Sequence, residues 1–200
     1  IMASSKEYIC FLDSDDFYLQ DHLSKISDAL LKNAELGFAF CRMLEMQEID
    51  GRPKYRDWTQ KTITFNDVLN IVLTRSHVVH TNIFIFKREV FERVGYFNEK
   101  YTNGEDGDLW MRISERYNGT FSDHYGAVYR SNHSTLQLTK NKQSVLESCY
   151  FEIYSDILKR YYELNLNNPY RIFKASLTLY RLKYISNKSQ YYYLYSLIIL

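Results

Sequence analysis

Lys6-Glu7-Tyr8-Ile9-Cys10-Phe11-Leu12-Asp13-Ser14-Asp15-Asp16 is the stretch that decides the fold. Tyr8 to Leu12 is an apolar run too short for a helix, and it stops at a carboxylate; this predicts a short buried strand ended by Asp13. A carboxylate cluster at the end of a buried strand is costly, because like charges repel and each must stay solvated or find a cation. Open α/β sheets bind ligands at that edge. Carboxylates at i and i+2, here Asp13 and Asp15, can share a hard cation such as Mg²⁺ or Mn²⁺ with a diphosphate. A helix N-cap or a surface turn uses the same residue types. An EF-hand is disfavoured, because Tyr18 stands where the loop needs glycine.

A second acidic cluster, Glu105-Asp106-Gly107-Asp108, follows about ninety residues later and runs into Leu109-Trp110-Met111-Arg112. At a helix entry negative charge is favoured by the helix dipole, so capping alone accounts for it. The functional alternative is a general base that takes a proton from an attacking hydroxyl.

The rest of the chain reads as alternating strands and helices to about residue 130, which favours an α/β layer architecture. Asp16 to Asn33 predicts a helix on the spacing of Leu19, Leu23, Ile26, Leu30 and Leu31, with Asp15 or Asp16 as its cap. Gly37 to Leu44 predicts a strand, Asp50-Gly51 a turn and Gly51 to Gln60 a polar loop. Thr64 opens a helix, and Thr81 to Phe86 is β-prone. Lys87 to Val94 predicts a helix stopped by Gly95. Asn98 to Asp108 reads as an acidic loop, Leu109 to Tyr117 as a helix and Phe121 to Tyr129 as a short strand. Helices are predicted over Gln143 to Leu164, Pro169 to Ile185 and from Ser189, with Asn165 to Asn168 as linker. The predicted units are residues 1–140 and a Tyr-rich helical extension, 141–200.

Composition narrows the classes. The 200 residues suffice for one sizeable domain with its own core. A net charge of +1 gives no bulk electrostatic case for nucleic acid. Three cysteines (Cys10, Cys41 and Cys149), none in a CxxC pair, argue against a disulfide framework or a zinc ribbon and for a reducing compartment. No run reaches the ~18 apolar residues of a membrane span, and the 19 tyrosines crowd toward the C-terminus. Those C-terminal helices either pack on the main domain as an accessory bundle, as their period favours, or approach a membrane surface, where Tyr is at home. His77-Val78-Val79-His80 lacks the Glu of a zincin and reads as structural or as part of an acceptor loop.

Taken together, the two clusters and their flanks resemble the family 2 glycosyltransferases of the GT-A fold. Lys6 to Asp16 looks like that family's strand leading into its DxD. Thr81 to Phe91 resembles its middle strand and helix. Val94-Gly95-Tyr96-Phe97-Asn98-Glu99 is similar to its "vGxFde" turn, Gly104 to Arg112 to its "ED" helix, and Tyr129-Arg130-Ser131-Asn132-His133-Ser134 to its "YRxH" loop. The resemblance covers about residues 3 to 140. It implies a partial, Rossmann-like GT-A sheet with a C-terminal helical segment. It implies metal-dependent, inverting transfer from a nucleotide-sugar to a glycan or lipid-linked hydroxyl acceptor, in cell-surface polysaccharide synthesis. Asp13, Asp15 and Asp16 would meet the nucleotide-sugar, with Asp15, Asp13 and His133 on Mn²⁺ or Mg²⁺. Asp106 would be the base, with Glu105 and Trp110 on the acceptor side. The expected setting is cytoplasmic, with peripheral contact at the inner face of a membrane.

Two departures go with the resemblance. The chain begins just before the DxD strand, so the base-binding half of the family's sheet is expected upstream of Ile1, and the chain alone is expected to be inactive. The Gln-x-x-Arg-Trp motif of processive synthases does not occur, which favours a non-processive transferase. Two other readings compete. One is a non-catalytic remnant that binds a glycan or a partner. The other is a haloacid-dehalogenase-like phosphatase, which would carry Thr or Val where this chain has Phe17.

Overall fold

The computed structural model describes residues 1–58, 80–131, 143–163 and 168–185. Its strands are β1 (Tyr8–Cys10), β2 (Phe17–Tyr18), β3 (Leu36–Ile49), β4 (Arg52–Asp57), β5 (Phe84–Lys87) and β6 (Asn118–Ser131). Its helices are α1 (His22–Leu31), α2 (Arg88–Val94), α3 (Glu105–Ser114), α4 (Gln143–Glu163) and α5 (Pro169–Ile185), and a 3₁₀ turn, Thr81–Ile83, leads into β5. The strands form one mixed sheet in the order β1-β5-β3-β6-β2, with β4 also on β3. Only β3 and β6 run parallel; the other pairs are antiparallel.

Alternation along β3 builds two cores. Phe38 and Phe40 face one way, beside Phe86 and Phe84 of β5. There they meet α2 and α3 through Phe91 and Trp110, whose ring stacks on Phe86 at 4.7 Å. Ala39 and Cys41 face the other way, under α1, whose Ile26, Ala29 and Leu30 are buried. The result is a helix layer on each face of the sheet. α4 and α5 close against the α3 side: Ile153, Tyr154, Ile157 and Tyr161 pack with Tyr101 and Met111. Tyr101 donates to Asp156 at 2.9 Å, and Arg160 reaches Glu115 at 2.9 Å. No helix among the described residues is long and apolar enough to cross a membrane.

Several boundaries differ from the sequence reading. The helix expected from Asp16 starts at His22, because Phe17–Tyr18 pairs with Val128 and Ala127 of β6 instead. Its N-cap is Asp21, in left-handed backbone and without a side-chain cap bond. The polar stretch after Asp50-Gly51 is a strand: both turn residues have positive φ (54° and 70°), the geometry of a tight hairpin, and β4 pairs back onto β3. α3 begins at Glu105, with Gly104 (φ 77°) as N-cap, so the acidic cluster is helix rather than loop. β3 and β6 are each longer than expected. The Thr64 helix entry, His77, Asn165 to Asn167, the helix from Ser189, and His133 lie outside the described residues.

Candidate active site

The acidic turn after β1 is held from two sides. Asn82, fully buried in the 3₁₀ turn, accepts a hydrogen bond from the Asp13 backbone N–H at 3.0 Å and donates its amide to Asp16 Oδ2 at 2.6 Å. The Arg130 backbone N–H of β6 donates to Asp16 Oδ1 at 2.9 Å, and the Arg130 Nε donates to the Asp15 carbonyl. Asp16 is therefore a buried cross-link, its side chain 1% exposed, whereas the Asp13 side chain is 54% exposed. Burial pushes the Asp16 carboxyl above its ordinary range, with the Arg130 N–H and His80 opposing and Asp15 and Asp13 adding to the rise.

His80 stands over this turn, walled by Trp58 and Tyr129 with ring centroids at 5.6 and 5.3 Å. Its Nε2 lies 3.7 Å from Asp13 Oδ2 and 3.9 Å from Asp16 Oδ2. Its Nδ1 accepts from the Asn82 backbone N–H at 3.3 Å. The proton of the neutral ring therefore sits on Nε2, aimed at the carboxylates. Burial lowers the His80 pKa against the pull of Asp13, Asp16 and Asp15.

The same turn reaches the second cluster. Thr81 Oγ1 donates to Asp106 Oδ2 at 3.4 Å, and the Gly107 N–H donates to Asp106 Oδ1 at 2.6 Å. Burial pushes the Asp106 carboxyl up to about 6; Glu105 and Asp13 add to the rise, while the Gly107 N–H and Thr81 oppose it. Three consecutive residues thus join the clusters: His80 and Asn82 to Asp13 and Asp16, Thr81 to Asp106. Asp108 belongs to the scaffold. It is 3% exposed and pairs with Arg112 at 2.9 Å and Arg160 at 3.6 Å. Arg112 also donates to the carbonyls of Val94 and Tyr96, which fixes the turn after α2.

The sequence-predicted residues divide accordingly. Asp13, Asp16 and Asp106 come together around the turn. Asp15 adds its charge to His80 and Asp16. Glu105 is partly buried beside Asp106. Trp110 is a correction. At 1% exposure, among Phe11, Phe84, Phe86 and Phe97, its ring has no face left for a sugar. Sequence reasoning missed Thr81 and Asn82, which sit in a β-prone run. Their one signal was the polar triplet His80-Thr81-Asn82 ahead of an apolar strand.

Residues 1–95 match the family model described as glycosyl transferase family 2. That segment belongs to the family. The matched span of this family 2 segment takes in Asp13 to Asp16 and His80 to Asn82 and ends before Glu105. No curated protein matches the chain. The mixed α/β sheet is a partial GT-A fold, and glycosyl transfer is the family's chemistry. The acidic turn also offers donor atoms that suit a divalent cation. Ligand atoms of Asp13, Asp16 and His80 lie within 4.8 Å of one another, and the carboxylate oxygens suit a hard ion. Asp13 is the exposed member of the set. His80, with its proton on Nε2, faces the carboxylates at 3.7 and 3.9 Å and offers an ion no lone pair from that atom in this tautomer.

Proposed function

We propose that this chain is the catalytic part of an enzyme that transfers a sugar from a nucleotide-sugar to a hydroxyl of a glycan or lipid-linked acceptor, with inversion at the anomeric carbon, in cell-surface polysaccharide synthesis. The observation that carries the reading is the His80-Thr81-Asn82 turn, which holds Asp13 and Asp106 at one site. Asp13 and Asp15 belong on the diphosphate side. A bound Mn²⁺ or Mg²⁺, held chiefly by Asp13 and Asp15, would neutralise charge developing on the leaving diphosphate. Asp106, with Glu105 beside it, belongs on the acceptor side. It takes the acceptor hydroxyl proton on its carboxylate, and a carboxyl raised to about 6 is a stronger base near neutral pH than an ordinary aspartate. The Thr81 hydroxyl and the Gly107 N–H orient it. We assign residues 1–140 to the transferase unit and 141–200 to the extension, of which α4 packs against α3.

The test is nucleoside diphosphate release by the full-length protein, with the base-binding half of the sheet included, from a panel of nucleotide-sugars with Mn²⁺. Asp106→Asn, folded by circular dichroism, is expected to lower kcat by about 10²- to 10⁴-fold. Unchanged turnover would overturn the assignment.

A further inference from the structure

A second cluster of ligating side chains lies on the opposite face of the sheet, beneath α1. His22 opens α1, Cys41 lies on β3 and His124 on β6. His22 Nδ1 and His124 Nε2 are 3.2 Å apart, and Cys41 Sγ is 3.9 Å from His22 Nδ1. All three donor atoms lie within 4.8 Å of one another. Zn–N and Zn–S bonds of about 2.1 and 2.3 Å at tetrahedral angles would place such atoms about 3.3–3.6 Å apart. The observed spacings bracket that range.

The backbone is irregular at the same place. Cys41 pairs with Ser122, Arg42 with Tyr125 and Met43 with Ala127. Asp123, His124 and Gly126 are thereby left without a partner on β3. Bulges of this kind re-aim side chains, and this one aims His124 at His22. Gly126 completes the fit. A Cβ there would lie 2.2 Å from His22 Nδ1 and 2.5 Å from Cys41 Sγ, so a larger residue would close the space between the donors. Ser122 Oγ lies 2.9 Å from His124 Nδ1, a partner that orients the ring with Nε2 toward the cluster.

We propose that His22, Cys41 and His124 form a metal site for a borderline divalent cation, Zn²⁺, that clasps α1 to the bulged β3–β6 pair. Two imidazole nitrogens and one thiolate suit Zn²⁺ better than the hard ions that suit Asp13 and Asp15. His22 and Cys41 are buried and His124 is half-buried, so the ion enters from the His124 side and water takes the fourth position. His22 Nδ1 and His124 Nε2 share one proton across their 3.2 Å contact, so on binding the ring that carries it shifts it to its outer nitrogen and both inner nitrogens face the ion. On binding, the Cys41 S–H bond breaks, a sulfur–metal bond forms and the proton leaves to solvent. The clasp supports the active site indirectly. β2 and α1 follow the Asp13–Asp16 turn in the chain, the Leu19 N–H donates to the Gly126 carbonyl at 2.8 Å, and the Tyr18 and His22 rings touch at 4.5 Å.

The experiment is a Co²⁺ titration of the full chain, read by absorbance, followed by Zn²⁺ competition. One equivalent of Co²⁺ should give a thiolate-to-cobalt charge-transfer band that Zn²⁺ removes. Cys41→Ser should abolish the band, His124→Gln should weaken binding at least about tenfold, and Asp13→Asn should bind as wild type. A band that survives in Cys41→Ser would come from Cys10 or Cys149 and overturn the proposal. So would the absence of any band at stoichiometric Co²⁺, which would leave a hydrogen-bonded histidine pair. If Cys41→Ser does not fold, His124→Gln decides by itself, since unaltered affinity there rules out the site.

Discussion

The two acidic clusters are built alike but balanced differently. Each divides into a carboxylate that faces the site and a carboxylate that holds the scaffold. In the first, Asp13 is exposed and Asp16 is buried; in the second, Asp106 faces Thr81 and Asp108 is buried. The scaffold groups differ in what compensates them. Asp108 meets two guanidiniums, those of Arg112 and Arg160. Asp16 meets neutral donors, the Asn82 amide and the Arg130 backbone N–H. The second cluster is therefore neutralised locally, and Asp106 is left to be tuned by burial.

Five substitutions sharpen that contrast. The largest effect is expected at Asp108, where Asp108→Ala strands two part-buried guanidiniums. Chemical denaturation should show a loss of roughly 3–5 kcal/mol. Asp106→Asn should do the opposite. A carboxyl raised to about 6 in the folded state favours folding in its protonated form, so its contribution is full below the unfolded aspartate pKa and lost as pH rises through 6. Removing the charge should therefore stabilise the protein by roughly 2–3 kcal/mol at pH 8, and the gain should vanish below about pH 4. A melting series across pH reads both. Activity runs with the deprotonated form and should fall as pH drops through about 6.

Asp16→Ala comes next. It leaves the Asn82 amide and the Arg130 N–H without their acceptor and should cost about 1–3 kcal/mol, while Asp13→Ala on the same turn should stay within about 0.5 kcal/mol. Equal costs at the two positions would break the division into site and scaffold. Tyr101→Phe is also expected to be mild. It removes the hydroxyl bond to Asp156 between the sheet unit and α4 and should cost about 1 kcal/mol in the melt.

What could be read from the sequence was local. β1, the Asp50-Gly51 turn, α2, α4 and α5 each carry a complete signal within a few residues, and α5 runs over the predicted Pro169 to Ile185. What could not be read depends on distant partners. Leu19 and Leu23 matched a helical period, yet the chain just before them is claimed by β6 as β2, and Leu23 is 52% exposed. β4 is exposed along most of its length and has no apolar alternation, so only its turn announced it. The site followed the same rule. The carboxylates stood out because acidic runs beside apolar ones are unusual. Asn82 and Thr81 did not, because their function lies in bonds to residues 69 and 25 positions away. His22, Cys41 and His124 are spread over some hundred positions and form no motif at all.

The central claim is that the two acidic clusters share one site, and the Asp106 carboxyl reports on it directly. Its ¹³C chemical shift, titrated in the full chain and in Asp13→Asn, should show a midpoint of about 6 that falls when the Asp13 charge is removed. A midpoint near the ordinary aspartate value of about 3.9, unmoved by Asp13→Asn, would contradict the account.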